Sequence, residues 1–496
     1  MKIITMHHIL GNKVLEYDVD DRGVIVDERE IDRTVNPKPN IADWVKEHMV
    51  FWYDMSKPVD TYAENFNDWT KHSVNADVAI TSTTFTITKF VVANDVVKCY
   101  IPIGTKNFPG MKVEVKGIVD GQELYWGYSA TVKLVNITSD GTYDIPPLET
   151  VKGNLSFRNG NIVGACNITI TQLPSGQSVP TNEILKANPY LQDHSGNNRP
   201  LKLNNFLFAA MSGVGGYELN WTDQSIWSRF LGSRFNGAIE PHKLTVTSAL
   251  GSYNIMETKV PSYAKKFKVR IDGIVDETVA YKYINASGTL VSFDIKEDGE
   301  YELPSNNTVE GNYNMGWAIL VNSYPHTCNI TIEQIPSYPN ALVTDGVDDY
   351  GQIQNLQHGV KVLFTTINPF VDGKFIYDQR LNNIKPWLFA VFNDKDSIAY
   401  NSRNSNGKTY IDGTLNESTR VSALLNKKQI ITIVNNDVTG DKTQTPIFFS
   451  NTDHNSGWIS SAFYNSIGFD SVPTQQTDGF TEQDLIDYVL KNIITQ

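Results

Sequence analysis

Three blocks of this sequence occur twice, in the same order. MKVEVKGIVDG at 111–121 matches FKVRIDGIVDE at 267–277, ITSDGTYDIPP at 137–147 matches IKEDGEYELPS at 295–305, and CNITITQLPS at 166–175 matches CNITIEQIPS at 328–337. Upstream, TFTITK at 84–89 answers KLTVTS at 243–248, and Trp69 in DWTKHS is set against Trp221 in NWTDQS. A unit of roughly 100 residues that appears twice has to fold twice, so the repeat constrains the chain before any other residue is considered.

Within each copy apolar and polar residues alternate over short runs, the period of a half-buried strand. Asp140-Gly141 and Asp298-Gly299 stand where hairpin turns are expected. Each copy is predicted to be a small antiparallel β-sandwich, over 67–176 and 220–337. Cys166 and Cys328 fall at matching positions of separate copies and cannot pair with each other, so they read as small buried apolar residues. The Asn-Ile-Thr of each block is a strand alternation rather than a glycosylation site, since no secretory signal accompanies it.

Charge and cysteine count remove several function classes. The 496 residues hold 42 Lys plus Arg against 55 Asp plus Glu, a net charge of −13, and no basic run tracks a phosphate backbone, which excludes nucleic acid as a partner. The N-terminal MKIITMHHILGNKVLEYDVDD breaks its apolar run at His7-His8 and turns acidic, unlike a signal peptide, and no window approaches a membrane-spanning length. Nothing completes a zinc site around the histidine pair. Cys99, Cys166 and Cys328 are too few and too dispersed for a disulfide framework, which points to folding in a reducing cytoplasm. Residues 1–48 offer a hairpin around Asp21-Arg22-Gly23, a linker and a short helix from Ile41 to His48. Such a segment is too small to bury a core alone and is expected to attach the chain to a partner or to copies of itself.

The remaining pieces, 49–66, 177–219 and 338–496, make sense only when joined. MVFWYDMSK at 49–57 is a buried strand, TNEILKANPYLQDHSGNNRPLKLNNFLFAAMSGVGGY at 181–217 follows the first repeat, and NALVTDGVDDYGQI at 340–353 follows the second. The glycine-rich MSGVGGY lacks the Gly-Lys-Ser/Thr of a phosphate loop and is expected to be either a turn between strands or the flexible entry to the second repeat. Spliced together, the pieces resemble a concanavalin A-like (laminin G-like) jelly roll. The matching motifs are an Asp-x-Ser-Gly-Asn turn, here Asp193 to Asn197, an apolar strand, here Leu201 to Phe208, and x-Asp-Gly-x-Asp-Asp-Tyr, here Thr344 to Tyr350. GKTYIDGTLN at 407–416 resembles a hairpin of that family turning at Asp412-Gly413, and 461–493 resembles its final strand and short helix. In that helix Thr481 is the expected N-cap, Asp484 the third position, and Leu485, Ile486, Val489, Leu490 and Ile493 the apolar face. The fold class expected is all-β: a discontinuous concanavalin A-like jelly roll interrupted by two related β-sandwiches, behind a short N-terminal anchor.

Asp345, Asp348 and Asp349 place three carboxylates within five residues. Alone they suit a cation such as calcium, an acid cluster or a turn. Within the resemblance they form a turn, with Val347 and Tyr350 facing the core and Asp345 and Asp348 bonding turn amides, although calcium is known among laminin G-like domains. Glycoside hydrolases of this fold carry a Glu-x-Asp-x-x-Glu strand that the lectin-like pieces lack, so no catalytic residue and no enzyme activity are expected. For sugar binding, Trp387, Tyr410 and Trp458 offer stacking faces and Asn401, Asn404 and Asn406 offer amides, although an aromatic in a β-sandwich is more often core.

The order of domains resembles appendage proteins, head fibres or tail fibres, on virions of phages that infect gut Bacteroides, including the crAss-like phages. The resemblance implies a non-enzymatic structural virion protein, a homotrimer attached through residues 1–48 to capsid or other virion proteins. It would be displayed on the virion surface after assembly in the bacterial host cytoplasm, where it would contact host or mucosal glycans. The alternative is a bacterial surface glycan-binding protein or glycoside hydrolase with a laminin G-like domain, which would need an export or lipoprotein sequence.

Overall fold

Strand Ser460–Phe469 organises the largest sheet of the protein. In this computed structural model, which describes residues 4–10, 13–19, 25–32, 40–71, 76–93, 96–97, 99–229, 234–251, 254–258, 266–305, 316–356, 359–370, 375–378, 389–393, 397–399, 408–416, 425–434, 447–450 and 458–494, the chain is all-β with antiparallel pairing. One side of Ser460–Phe469 pairs with Val362–Pro369; the other carries Met49–Asp54 and Leu342–Asp345 end to end. Beyond Val362–Pro369 the sheet runs through Gln429–Val434 and Lys408–Ile411 to Thr414–Leu415. A second sheet starts at Tyr190–Leu191 and passes through Leu201–Asn204, Tyr350–Ile353 and Ile447–Phe448 to Phe375–Asp378, Phe389–Asn393 and Ser397–Ala399. Phe51, Leu363, Ile431 and Phe463 of the first sheet meet Leu201, Ile353, Tyr377 and Phe448 of the second in one core. Strands from before, between and after the two repeats therefore bury their apolar faces together.

Among the described residues three short α-helices trim this sandwich: α1 (Ile41–His48), α2 (Asn182–Ala187) and α3 (Glu482–Val489). The outer face of the larger sheet presents Val362, Phe364, Ile467 and Phe469, and α1 and α3 cover them with Trp44, Val45, Leu485, Ile486 and Val489. Helix α3 starts as its spacing predicts, with a capping box between Thr481 and Asp484. Helix α1 corrects the expected boundary at residue 48. Trp44 is 2% exposed and packs on Phe469 and Phe480, so this helix belongs to the sandwich. The hairpin at Asp412-Gly413 forms as expected, both residues having positive φ (49° and 81°), the requirement of a two-residue primed turn. The apolar run at 201–208 is strand only to Asn204. Asn205 then turns with φ 65°, yet Phe206 and Phe208 still reach the core. Ahead of α1, Ile4–Leu10, Lys13–Val19 and Ile25–Asp32 form a three-stranded sheet of their own, and the Asp21-Arg22-Gly23 turn lies outside the described residues.

The two repeats share one backbone plan. The five-stranded sheet of the first orders Gly141–Ile145, Met111–Lys116, Gly164–Gln172, Thr84–Phe90 and Ala76–Ile80; that of the second orders Gly299–Leu303, Phe267–Asp272, His326–Ile335, Lys243–Ala249 and Phe235–Ile239. Registers agree, with Val113 opposite Tyr143 and Gln172, and Val269 opposite Tyr301 and Gln334. Gly117 and Gly273, at φ 92° and 94°, turn where a Cβ would stand 1.9 and 2.0 Å from the Asn167 and Asn329 carbonyls, which is why GIVD recurs. In the facing sheet a cross-strand aromatic pair is exchanged, Trp126 opposite Phe157 in the first copy and Tyr281 opposite Trp317 in the second. The bulky indole has changed strands while the core is still filled.

Three expectations are corrected here. Asp140-Gly141 and Asp298-Gly299 close no hairpin. The strands before them, Val132–Ile137 and Leu290–Ile295, lie in the other sheet, so each pair carries the chain across the sandwich while the aspartate accepts the Ile118 or Ile274 N–H. Trp221 corresponds to Phe66, not Trp69: Phe66 N–H donates to Ser82 O as Trp221 N–H donates to Pro241 O. Cys166 and Cys328 are half-buried at the core margin, beside the Ile87 and Val246 carbonyls.

Each repeat is joined to the sandwich by a neck built from neighbouring chain ends. Val59–Thr61 pairs antiparallel with Gly176–Ser178 at the first. At the second, Ser337 and Tyr338 N–H groups donate to the Gly216 and Gly215 carbonyls. Just inside each neck a buried glutamine bonds both backbone groups of one entering residue. Gln172 holds Glu64 at 3.0 and 2.7 Å, and Gln334 holds Leu219 at 3.1 and 2.8 Å. Gln334→Ala would strand a buried N–H and C=O, with an expected loss of about 1–3 kcal/mol from its unit in urea unfolding, and Gln172→Ala, whose partners are half-buried, is expected to fall toward the lower end of that range. Because the second neck brings its ends together, replacing 220–337 by a short Gly-Ser link is expected to leave a soluble protein that melts cooperatively. Aggregation of that deletion beside a well-behaved parent would show that the unit is not separable.

Candidate functional site

The acidic turn connects strand Leu342–Asp345 of one sheet to Tyr350–Ile353 of the other. Its three carboxylates offer oxygens within 4.8 Å of one another, but the burial order differs from expectation. Asp349 is fully buried; Asp348 is exposed, and Val347, expected in the core, is 64% exposed, while Tyr350 is half-buried. The reason is the crossing between sheets, which turns the second aspartate of the Asp-Asp pair inward. Asp349 Oδ1 accepts the Ser212 hydroxyl at 2.9 Å and Oδ2 accepts the Asp345 N–H at 3.0 Å, while Asp345 Oδ1 accepts the Val347 N–H at 2.7 Å. Asp348 contributes its backbone carbonyl, which accepts from Asn205 Nδ2. Burial and the neighbouring acids push the Asp349 carboxyl up to about 7 against two hydrogen bonds that favour its charged form. A carboxyl so fully engaged in holding its own turn is a structural group, and these residues are the ones that would hold calcium if any did.

The Asp-x-Ser-Gly-Asn turn is a second site that the sequence singles out. Asp193 is 8% exposed, and its Oδ1 accepts the N–H groups of Trp52 and Ser195, both at 2.9 Å, while Oδ2 accepts that of Arg199 at 3.0 Å. Asn197 Nδ2 and Arg199 Nη1 return bonds to the Met49 and Val50 carbonyls. This loop is a clamp on strand Met49–Asp54.

The expected sugar site is not assembled by the described residues. Trp387, Asn401, Asn404 and Asn406 lie outside them. Tyr410 is 5% exposed in the cluster under α3, where its hydroxyl donates to Glu482; burial first and then that carboxylate push the phenol well up. It is a packing tie and no stacking face. Trp458 is half-buried just ahead of Ser460–Phe469.

Sequence reasoning missed a polar hollow of about 530 Å³ beside α3, lined by Asp54, Asn340, Thr366, Asp412, Lys428 and Asn465. Its groups are largely occupied by one another. Asp54 accepts the Ser56 N–H and hydroxyl, Asp412 accepts the Ile430 N–H, Thr366 donates to Asn465, and Lys428 Nζ sits 4.1 Å from the Tyr464 ring centroid. No short motif joins residues drawn from six separate segments, so only the fold could bring them to notice.

No protein-family model matches the chain, and no curated protein does. Among the described residues no helix is long and apolar enough to cross a membrane.

Two substitutions separate structural from ligand roles. Asp193→Ala removes the acceptor of three N–H groups and is expected to cost several kcal/mol, on the order of 1–3 for each group left buried, by chemical denaturation. At Asp349 the sign follows from the raised carboxyl. The native state binds its proton more tightly than the unfolded chain, so the group's contribution is most favourable below the unfolded carboxylate range and declines as pH rises to about 7. Asp349→Asn lacks that decline. Its stability relative to the parent is expected to climb by up to a few kcal/mol between about pH 4 and 7 and then level off. A difference independent of pH would mean that Asp349 is charged throughout.

Proposed function

We propose that this chain is a non-enzymatic virion appendage of a bacteriophage, a head or tail fibre that displays its β units outward and meets glycans of the host or of mucosa. The observation that carries the proposal is the way the units are hung. Two related sandwiches with their own aromatic cores leave one larger sandwich through antiparallel necks, and a separate three-stranded sheet precedes them all. Such a chain spends its residues on separately cored β units. Among the described residues, the carboxylates grouped at 345, 348 and 349 lie in a turn that the Asp345 and Asp349 side chains brace. The domain order of phage fibres supports the same reading.

The N-terminal sheet supplies the attachment, and a homotrimer is the working unit; three copies would gather three weak contact surfaces and raise avidity without any new contact. Antibody against residues 340–496 is expected to decorate purified virions in electron micrographs, and light scattering of the full chain to report three copies. Removing residues 1–39 is expected to abolish incorporation into particles while the remaining β units stay folded. Normal occupancy by the truncated chain would place the anchor elsewhere, and undecorated virions would overturn the appendage itself.

A further inference from the structure

We propose that the seam between the first repeat and the sandwich is a binding site for a neutral saccharide. Two hollows, of about 320 and 220 Å³, open there and share Asp60, Tyr62, Ser82, Thr83 and Asn188 in their walls. Together they lie within the range of small-molecule sites, roughly 300–1,000 Å³. The walls come from three places in the chain: the neck around Asp60 and Tyr62, the turn at Ser82 and Thr83 in the first repeat, and Asn188, Tyr190 and Gln192 in the sandwich.

The chemistry of the walls selects the ligand. Tyr62 and Tyr190 are half-buried, so each offers part of a ring face with a phenol at its edge. Burial pushes both phenols up, with Asp60 adding to the effect at Tyr62, and both stay protonated donors at neutral pH. The two amides are already positioned by the fold. Asn188 Oδ1 accepts the Ser82 hydroxyl at 3.1 Å, and Gln192 Oε1 accepts the Asp60 N–H at 3.1 Å, which leaves their NH₂ groups for a ligand. Among the described residues lining the hollows there is no Lys or Arg, whereas Asp60, Glu64 and Glu183 supply carboxylates. Phosphates, sulfates and acidic sugars are disfavoured by that field. An apolar peptide anchor would find amides and hydroxyls over most of the larger hollow. A pyranose matches on both counts, its C–H face against tyrosine rings and its hydroxyls against fixed amides and carboxylates.

This site gives the glycan contact of the preceding reading a defined place, and its test does not depend on the virion. The full chain is applied to an array of neutral and acidic glycans, and the methyl glycosides of glucose, galactose, mannose and N-acetylglucosamine are titrated by saturation-transfer NMR. Binding to neutral saccharides is expected. Tyr62→Ala, which removes a ring face, and Thr83→Trp, which adds bulk to the seam and takes away no core residue, are each expected to weaken it about tenfold or more. Both variants should melt as one transition close to the parent. Unchanged affinity in the two variants would place any glycan contact elsewhere. Binding confined to acidic glycans, or none to the array or the glycosides, would also overturn the site. Undecorated virions with intact seam binding would overturn the appendage and leave the site standing.

Discussion

One carboxylate holds the sandwich closed across the first insertion. Among the described residues strand Met49–Asp54 pairs with Ser460–Phe469 along one edge only, and an open edge of a sheet is a row of unmet donors and acceptors. The Asp193 loop covers that edge, with Asp193 taking the Trp52 N–H, His194 N–H reaching the Trp52 carbonyl, and Asn197 and Arg199 taking the carbonyls of Met49 and Val50. The strand carries Phe51 and Tyr53 into the core, and Tyr53 also donates to the Arg199 carbonyl. Edge and core are thus fixed by the same loop. The covalent path between the two partners runs through the entire first repeat, so its folding has to return the chain to within hydrogen-bonding distance of where it left.

That requirement explains the necks. A unit whose ends lie side by side can be inserted into a loop without moving the host strands. Both repeats meet it with the same device, a glutamine at the end of the last repeat strand that bonds the backbone of the entering residue. The surrounding side chains differ freely, Glu64 in one and Leu219 in the other, because only main-chain groups are recognised. Main-chain recognition is what lets two diverged copies keep one geometry.

How much of this was legible in the sequence follows from the range of each interaction. The repeat plan, the α3 cap and the Asp412-Gly413 hairpin are local patterns of period or turn chemistry, and they form as read. The Asp-Gly pairs at 140 and 298 were legible as turns but not in direction, since a turn within a sheet and one between sheets demand the same residues. Trp69 aligns with Trp221 by letter, while backbone bonding aligns Phe66 with it; a buried ring is defined by the space it fills. The acidic turn was legible as a turn, yet which aspartate enters the core depends on the pitch of the crossing, and Val347 is turned out as Asp349 is turned in. Tyr410 looked like a sugar platform because nothing near it in sequence announces that α3 will cover it.

The two necks also differ in a way that bears on where a ligand could sit. At the second, Tyr217 stacks on His242 of the repeat and the Ser337 hydroxyl donates to Glu218, while Tyr338 packs against Phe370 of the larger sheet. At the first, a short ribbon, tied across by Gln177 to Asp60, stands between the repeat and the sandwich, and the two approach each other through the polar pair Ser82 and Asn188. Apolar surfaces close on contact because burial favours the loss of every exposed patch. Polar surfaces do not gain in this way, since each group already bonds to water, and a seam between them can stay open with its donors and acceptors held in place. The hollows at the first neck are accordingly lined from both the repeat and the sandwich, whereas the hollow beside the second is lined by the repeat alone, from Lys266, Glu302 and the 335–337 segment.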